Sequence, residues 1–222
     1  MKFYWVKTHW LMRKVFSRFV WRFSSSHKTV YLTFDDGPTP EITSWTLDVL
    51  KKHNAKATFF CIGENIKKNP TLFLKILEQG HSVGNHTYSH LNGWYFSAEK
   101  YIENVGLCEN ILNELAPENN FQQKLFRPPY GKLNLKQFKL LKERGYKVIM
   151  WDILSADFDT TISPEQCAEN VVKNIQPGSI IIFHDSVKAS KNLRHALPQS
   201  LEYLQKKGFE MKAIKFVPEP NL

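Results

Sequence analysis

The sequence predicts an α/β fold, a distorted and incomplete (β/α)7 barrel, on three observations. Short apolar runs rich in β-branched and aromatic residues alternate with amphipathic helical segments about seven times. The residues that look chemical, Asp35, Asp36, His86, Arg127, Asp152 and His184, fall where those runs end. The C-terminal strand ends form the rim on which such barrels gather their sites. An open doubly wound sheet places them likewise, but about seven units without a phosphate-binding glycine loop favour the barrel.

Residues 30–34 (VYLTF) read as the first strand. Pro40 opens a helical pattern through Ile42, Trp45, Leu47, Val49 and Leu50. Residues 57–62 are a second buried strand, and residues 70–79 a helix stopped by Gly80. Residues 81–84 form a short strand, and Ser97 starts a long helix to Leu115 with Glu99 in its first turn. A strand over 124–126, a helix over 134–144 ended by Gly145, and a strand over 146–151 follow. Ser163 caps a helix running to Ile175, with Pro164 at its first position. A strand over 179–183, a helix over 192–207 and a strand over 210–216 complete the chain.

With 42% hydrophobic and 23% charged residues, the 222-residue chain reads as a soluble single domain. It has no apolar run of about eighteen residues, the length a membrane span needs. Cys61, Cys108 and Cys167 form no CxxC pair and read as buried free thiols of a reducing compartment. The net charge of +9 is uneven. Lys2, Lys7, Arg13, Lys14, Arg18, Arg22 and Lys28 stand in residues 1–28 without one Asp or Glu, leaving 23 basic and 21 acidic residues elsewhere.

Residues 1–27 therefore form a basic arm, aromatic through Phe3, Tyr4, Trp5, Trp10, Phe16, Phe19, Trp21 and Phe23, ahead of a domain spanning 28–222. Arg13, Lys14, Arg18 and Arg22 interrupt every apolar stretch, so no cleavable signal peptide is evident. A cytoplasmic or peripherally membrane-associated protein is expected. Met12, Val15, Phe16, Phe19, Val20 and Phe23 make a helical stripe. Such a stripe either lies on anionic lipid or packs on the domain. Packing is favoured, because the arm runs almost directly into the first strand.

The segment Thr33-Phe34-Asp35-Asp36-Gly37-Pro38 places two carboxylates at the end of an apolar strand. Alone it reads as a turn, but adjacent ionised carboxylates repel, and a cation or arginine relieves that cost. His86 and His90 share one side if their backbone is helical. With Asp36 they make a His₂–carboxylate set for a divalent metal, leaving Asp35 as a spare base. Zinc is the usual occupant, with Co2+, Fe2+ and Mn2+ compatible. Arg127-Pro128-Pro129-Tyr130-Gly131 is a stiff segment that aims Arg127 and presents the Tyr130 amide. His184 emerges from a fully apolar strand. His53, His81 and His195 lack matching partners and read as structural or solvated.

These motifs resemble the NodB-homology polysaccharide deacetylases, carbohydrate esterase family 4, over roughly residues 28–215. Residues 33–38 match the first motif, His86 to His90 match H-[ST]-x-x-H, Arg127 to Tyr130 match R-x-P-Y, and Ile182-Phe183-His184 approximates L-x-H. The resemblance implies a metal held by Asp36, His86 and His90. It makes Asp35 the general base, Arg127 its holder, the Tyr130 amide an oxyanion donor and His184 the acid that protonates the leaving amine. Asp157 maps best onto the residue that orients His184. Asp152 stays a rival, because Phe158 stands where the family often has Trp, and Leu154 where it often has Asp. Pro129, Trp151, Phe158 and Ile182 are expected to line the substrate pocket.

The implied activity is removal of N-acetyl groups from an amino-sugar glycan of peptidoglycan or chitin type. Hydrolysis of a linear or cyclic non-sugar amide is the alternative. A degenerate enzyme is argued against by the complete set of site residues. Nucleic-acid binding is not expected, because the arm carries no recognised motif and the rest of the chain is nearly neutral. A monomer is expected, with peripheral membrane contact through the arm as the further partner.

Overall fold

The computed structural model describes residues 4–24, 26–117 and 124–215. Lys2 and Phe3 of the arm, and Phe216 at the end of the expected last strand, lie outside them. The order of elements is α1 (Trp10–Val15), β1 (Thr29–Asp35), α2 (Ile42–Lys52), β2 (Ala57–Cys61), α3 (Gly63–Lys68), α4 (Pro70–Glu78), β3 (Ser82–Asn85), α5 (Ala98–Leu115) and β4 (Lys124–Phe126). There follow α6 (Leu135–Glu143), β5 (Tyr146–Val148), β6 (Ile153–Leu154), α7 (Pro164–Val172), β7 (Ile180–His184), α8 (Ser190–Lys206) and β8 (Glu210–Lys212).

The strands pair in parallel in the order β5-β4-β3-β2-β1-β7-β6, with β8 against the first half of β1. The sheet curls into an open half-barrel, the distorted incomplete barrel that the alternation predicted. One strand differs. The apolar run 146–151 is not a single strand: β5 stops at Val148, residues 149–152 cross the open side, and β6 begins at Ile153. Strand periodicity is blind to such a crossing, because both edges of the gap are apolar.

Alternation along β1 sorts its side chains. Val30, Leu32 and Phe34 point outward into the main core with Phe59, Phe183 and helix residues such as Leu47, Phe73 and Leu197. Tyr31, Thr33 and Asp35 share the other face, toward the barrel interior. Helix starts follow local chemistry. Ser97 accepts from the Lys100 amide, Ser163 from the Gln166 amide, and Asn134 and Gln137 form a capping box. The six-residue α3 was not foreseen; only Gly63 and Ile66 of it are buried, too little for a readable period. All three cysteines are buried and free. Among the described residues no helix is long and apolar enough to cross a membrane.

The arm departs from the expected helix. α1 ends at Val15, and Phe16 has left helical geometry. The rest of the arm runs along the open side of the barrel. Val20 bridges Ile149 in parallel, Lys7 bridges Ile153 antiparallel, and Arg22 bridges Ser179 antiparallel. The Val20 amide donates to the Val148 carbonyl at 2.9 Å, and the Met150 amide donates to Val20 at 2.7 Å. The Leu154 amide donates to Val6 at 2.8 Å, and the Phe23 amide donates to Gly178 at 2.9 Å. These bonds occupy backbone groups of the edge strands β5 and β6, and of Gly178 just before β7, that a sheet otherwise leaves open. Gly178 is required by this approach. Its φ is +84°, and a Cβ there would lie 1.9 Å from the Phe23 carbonyl oxygen. Phe19 and Phe23 turn inward, packing on Phe138 and Tyr31, whereas Val15 of the expected stripe is exposed.

Candidate active site

Register gathers the site. Parallel pairing sets Asp35 opposite His184 and also opposite Phe60. It sets Cys61 opposite Asn85, and Asn85 opposite Phe126. The residues that follow, Asp36, His86 and Arg127, therefore emerge on one rim at the C-terminal strand ends.

Arg127 is fully buried inside the barrel. Its Nη1 donates to Asp35 Oδ1 at 2.7 Å and to Thr33 Oγ1 at 2.8 Å. Its Nε and Nη2 donate to the carbonyls of Ile149 and Met150 at 3.1 and 2.8 Å. Its guanidinium lies 4.2 Å from the Phe60 ring centroid. Burial lowers its pKa while Asp35 raises it. A buried guanidinium with these partners holds one oxygen of Asp35 and leaves the other free.

Asp36 takes a left-handed φ of 81° just past β1. Its Oδ1 lies 3.7 Å from His86 Nε2 and 3.3 Å from His90 Nε2. Burial opposes its charge, but the His90 hydrogen bond and the charges of His184, His86 and His90 outweigh burial and hold the carboxyl far below its usual range. His86 Nδ1 lies 2.7 Å from the Arg127 carbonyl, which can only accept, so Nδ1 carries the proton and Nε2 offers its lone pair. Burial, against the pull of Asp35, brings the His86 pKa down to about 4, so the ring is neutral. The ligand atoms of Asp36, His86 and His90 all lie within 4.8 Å of one another. One carboxylate and two imidazoles, that of His86 held in a fixed tautomer, suit a divalent cation. The histidines do not reach this arrangement on a helix. Thr87 and His90 have φ of 65° and 54°, and the loop itself turns both rings to one side.

His184 ends β7. Its Nδ1 lies 2.8 Å from Asp157 Oδ1, and its amide donates to Asp157 Oδ2 at 2.8 Å. Burial lowers the His184 pKa, but Asp157, with Asp36 and Asp35 behind it, raises it to about 9. The imidazole is therefore charged at neutral pH. Asp152 is elsewhere. It stands before β6, at the N-terminal strand ends, with its Oδ2 accepting from Lys7 Nζ at 2.7 Å and from Ser179 Oγ at 2.6 Å. Its placement at the end of a strand followed from reading 146–151 as unbroken.

Pro129 is buried, and Tyr130, at a left-handed φ of 59°, sets its ring 4.6 Å from that of His90. Ile182 packs with Leu154 and Ala156, with Trp151, Phe158 and Tyr4 around them. Phe158 meets His184 edge-on at 5.1 Å. His81 accepts from the Ala57 amide, and His53 and His195 contact Gln205 and Gln199, all away from the rim.

Two supports escaped the sequence reading. Asp185 is fully buried, accepts from the Gly37 amide at 3.1 Å and takes a short hydrogen bond from Thr43. It occupies the space a Cβ on Gly37 would need, since that atom would fall 2.1 Å from Asp185 Oδ2. Asn65 donates to the Asp36 carbonyl at 2.7 Å. Asp185 follows His184 directly, and that adjacency was its only available signal.

A family model described as polysaccharide deacetylase matches residues 24–149. A peptidoglycan-N-acetylglucosamine deacetylase of Bacillus cereus is 41% identical over 157 residues, 71% of this chain and 56% of that protein. The chain thus spans little more than half of that relative. A second one from the same organism is 34% identical over 201 residues, 87% of this chain and 90% of its own length. A crystal structure of the Bc1960 peptidoglycan N-acetylglucosamine deacetylase superposes with a TM-score of 0.83 at 33% identity, covering 93% of this chain and 95% of that one. A carbohydrate esterase family 4 pseudoenzyme from Bacillus anthracis superposes with a TM-score of 0.76 at 26% identity, over 87% of this chain and 66% of its own.

Proposed function

The chain belongs to the polysaccharide deacetylase family, carbohydrate esterase family 4, and from that premise we propose that it removes N-acetyl groups from N-acetylglucosamine units of a peptidoglycan- or chitin-type glycan. One observation carries the reading. A carboxylate fixed by a buried arginine and an imidazolium fixed by a carboxylate stand opposite each other in register, beside a His₂–carboxylate cluster. A family member can lose activity while keeping the fold, so the fold alone would not carry this reading.

Asp36, His86 and His90 would hold the cation. A divalent cation bound there, Zn2+ by donor type, brings the pKa of a water down to about 7 and polarises an amide carbonyl. Asp35 takes a proton from the attacking water on Oδ2, because Arg127 occupies Oδ1. The water oxygen bonds to the carbonyl carbon, and the Tyr130 amide serves as an oxyanion donor. The C–N bond then breaks as His184 gives its Nε2 proton to the amine nitrogen, and Asp157, bonded to Nδ1, keeps the ring charged until then. Acetate and a free amine leave. Trp151, Phe158, Ile182 and Pro129 offer apolar surface for the acetyl methyl.

Acetate release from N-acetylglucosamine oligomers and muropeptides, with metal-loaded protein, is the test. Release from one of these glycans is expected. No acetate from any glycan, together with hydrolysis of a formamide or cyclic amide, would overturn the reading.

A further inference from the structure

The arm has two faces, and only one of them is used by the barrel. In α1, a rotation of about 100° per residue places Trp10, Lys14, Leu11 and Val15 within one arc of about 140°. All four are exposed, whereas Met12 and Arg13 turn toward the barrel, where Arg13 pairs with Asp152 at 3.6 Å. Trp10 is 58% exposed, Leu11 50%, Val15 60% and Trp5 45%. Trp5, His9 and Trp10 continue one another, with ring centroids 6.2 and 5.7 Å apart. Trp5, Trp10, Leu11 and Val15 thus give this side of the arm an exposed apolar surface, with His9 and Lys14 among them.

Beside it lies a groove of about 930 Å³ between the arm and the α6–β5 corner. Arg13, Lys14, Arg18, Arg22, Lys142 and Lys147 line it, and no Asp or Glu does. Aromatic and aliphatic groups ringed by cations suit the interface of an anionic bilayer, where Trp sits at headgroup depth and Lys and Arg meet lipid phosphates. A second copy of the chain fits less well, because two such surfaces repel. We propose that the Trp5–Val15 face of the arm, with this groove, seats the protein on an anionic lipid surface.

The topology orients the result. Gly145 and Asp152 stand at the N-terminal strand ends, whereas Asp36, His86 and His184 stand at the C-terminal ends. A protein seated by α1 and the groove meets the lipid at the N-terminal strand ends, with Trp5, beside β6 through Val6, the part of the face nearest the catalytic rim. The patch is independent of the deacetylase reading, so the two fail separately.

The test is co-sedimentation of the full chain with vesicles of phosphatidylglycerol and phosphatidylcholine, against phosphatidylcholine alone, with tryptophan emission recorded. Binding to the anionic vesicles, a blue-shifted emission and weakening by salt are expected. The variants Trp10→Ser/Leu11→Ser and Lys14→Glu/Lys142→Glu are each expected to bind about tenfold more weakly or worse. Their turnover of a soluble N-acetylated oligosaccharide should stay unchanged, which also shows that they fold. No binding of the wild type to anionic vesicles, or equal binding by the variants, would overturn the proposal. So would a wild-type dimer that the Trp10→Ser/Leu11→Ser variant dissolves, or retention on dextran sulfate without vesicle binding.

Discussion

At the rim, a strand end delivers each functional side chain a residue or two from the motif that announces it. In the arm, residues 4–24 take their shape from groups more than a hundred positions away: Val6 from Leu154, Val20 from Val148, Phe23 from Gly178. The rim is a local pattern placed by register. The arm is a strap whose conformation exists only because the barrel has an open side to cover. Both lie on the same sheet, but they depend on it differently. Substitutions at the rim should change chemistry and spare the fold, and substitutions in the inward face of the arm should do the reverse.

The sharpest break of that contrast is Asp35→Asn. Loss of the base is expected to cost about 10²–10⁴-fold in kcat. Bound metal, measured by elemental analysis, should persist, because Asp36, His86 and His90 are the holders. The Arg127 bond survives through the amide oxygen, so the melting temperature should move little. Near-wild-type turnover, or loss of metal with it, would put Asp35 in another role.

Phe23→Ala is the mirror experiment. Phe23 is 9% exposed and packs at 4.4 Å from Tyr31, with Phe60, Leu125 and Ile180 in the same cluster. Removing a buried Phe costs about 3–5 kcal/mol, and the edge position suggests the lower end. A lower urea midpoint with unchanged kcat below the transition is the expected pair of results. Unchanged stability would mean that the arm covers the barrel without supporting it.

Where the sequence could be read, the reason was locality. Asp35, Asp36, His86, His90, Arg127 and His184 are each marked by neighbours a few positions off, and alternating apolar runs mark the barrel. Where it could not be read, the deciding partner was distant. The stripe from Met12 to Phe23 has a helical period, yet the free edge of β5 and the open backbone of Gly178 just before β7 compete for its amides and carbonyls, and the helix ends at Val15. The choice between Asp152 and Asp157 turned on which end of a strand each occupies. An apolar run that crosses the gap unbroken hides that boundary. Asp185 had no motif because its partners are distant in sequence: it accepts from the Gly37 amide and from Thr43 and fills the space that Gly37 leaves.

Asp157→Asn tests the smaller electrostatic part of the rim. Burial alone lowers the His184 pKa, and Asp157 is the principal group that raises it to about 9. Without that charge the imidazolium loses its proton at lower pH. Turnover that needs the protonated ring is then lost earlier as pH rises. The alkaline limb of kcat/KM should move down by about one unit or more, ~1.4 kcal/mol. An unmoved limb would separate His184 from the acid role.

The smallest effect should come from Tyr4, where the strap and the rim touch. Its hydroxyl donates to Asp159 Oδ2 at 3.0 Å, and its ring meets Phe158 edge-on at 5.8 Å. Phe158 in turn lies against His184. Burial, then Asp159, pushes the Tyr4 pKa up to about 12, so the hydroxyl stays a donor over the working range. Tyr4→Phe removes that donor and keeps the ring, and Tyr4→Ala removes both. If the arm supports Phe158 by packing, Tyr4→Phe should behave as wild type. Tyr4→Ala should then lower kcat/KM by at most about tenfold, ~1.4 kcal/mol, mostly through KM, because Phe158 borders the acetyl pocket while the charge on His184 is held from the other side by Asp157. A loss confined to kcat, with a shifted alkaline limb, would instead tie the arm to the acid. The strap would then be part of the catalytic rim, and the contrast between the two regions would not hold at this contact.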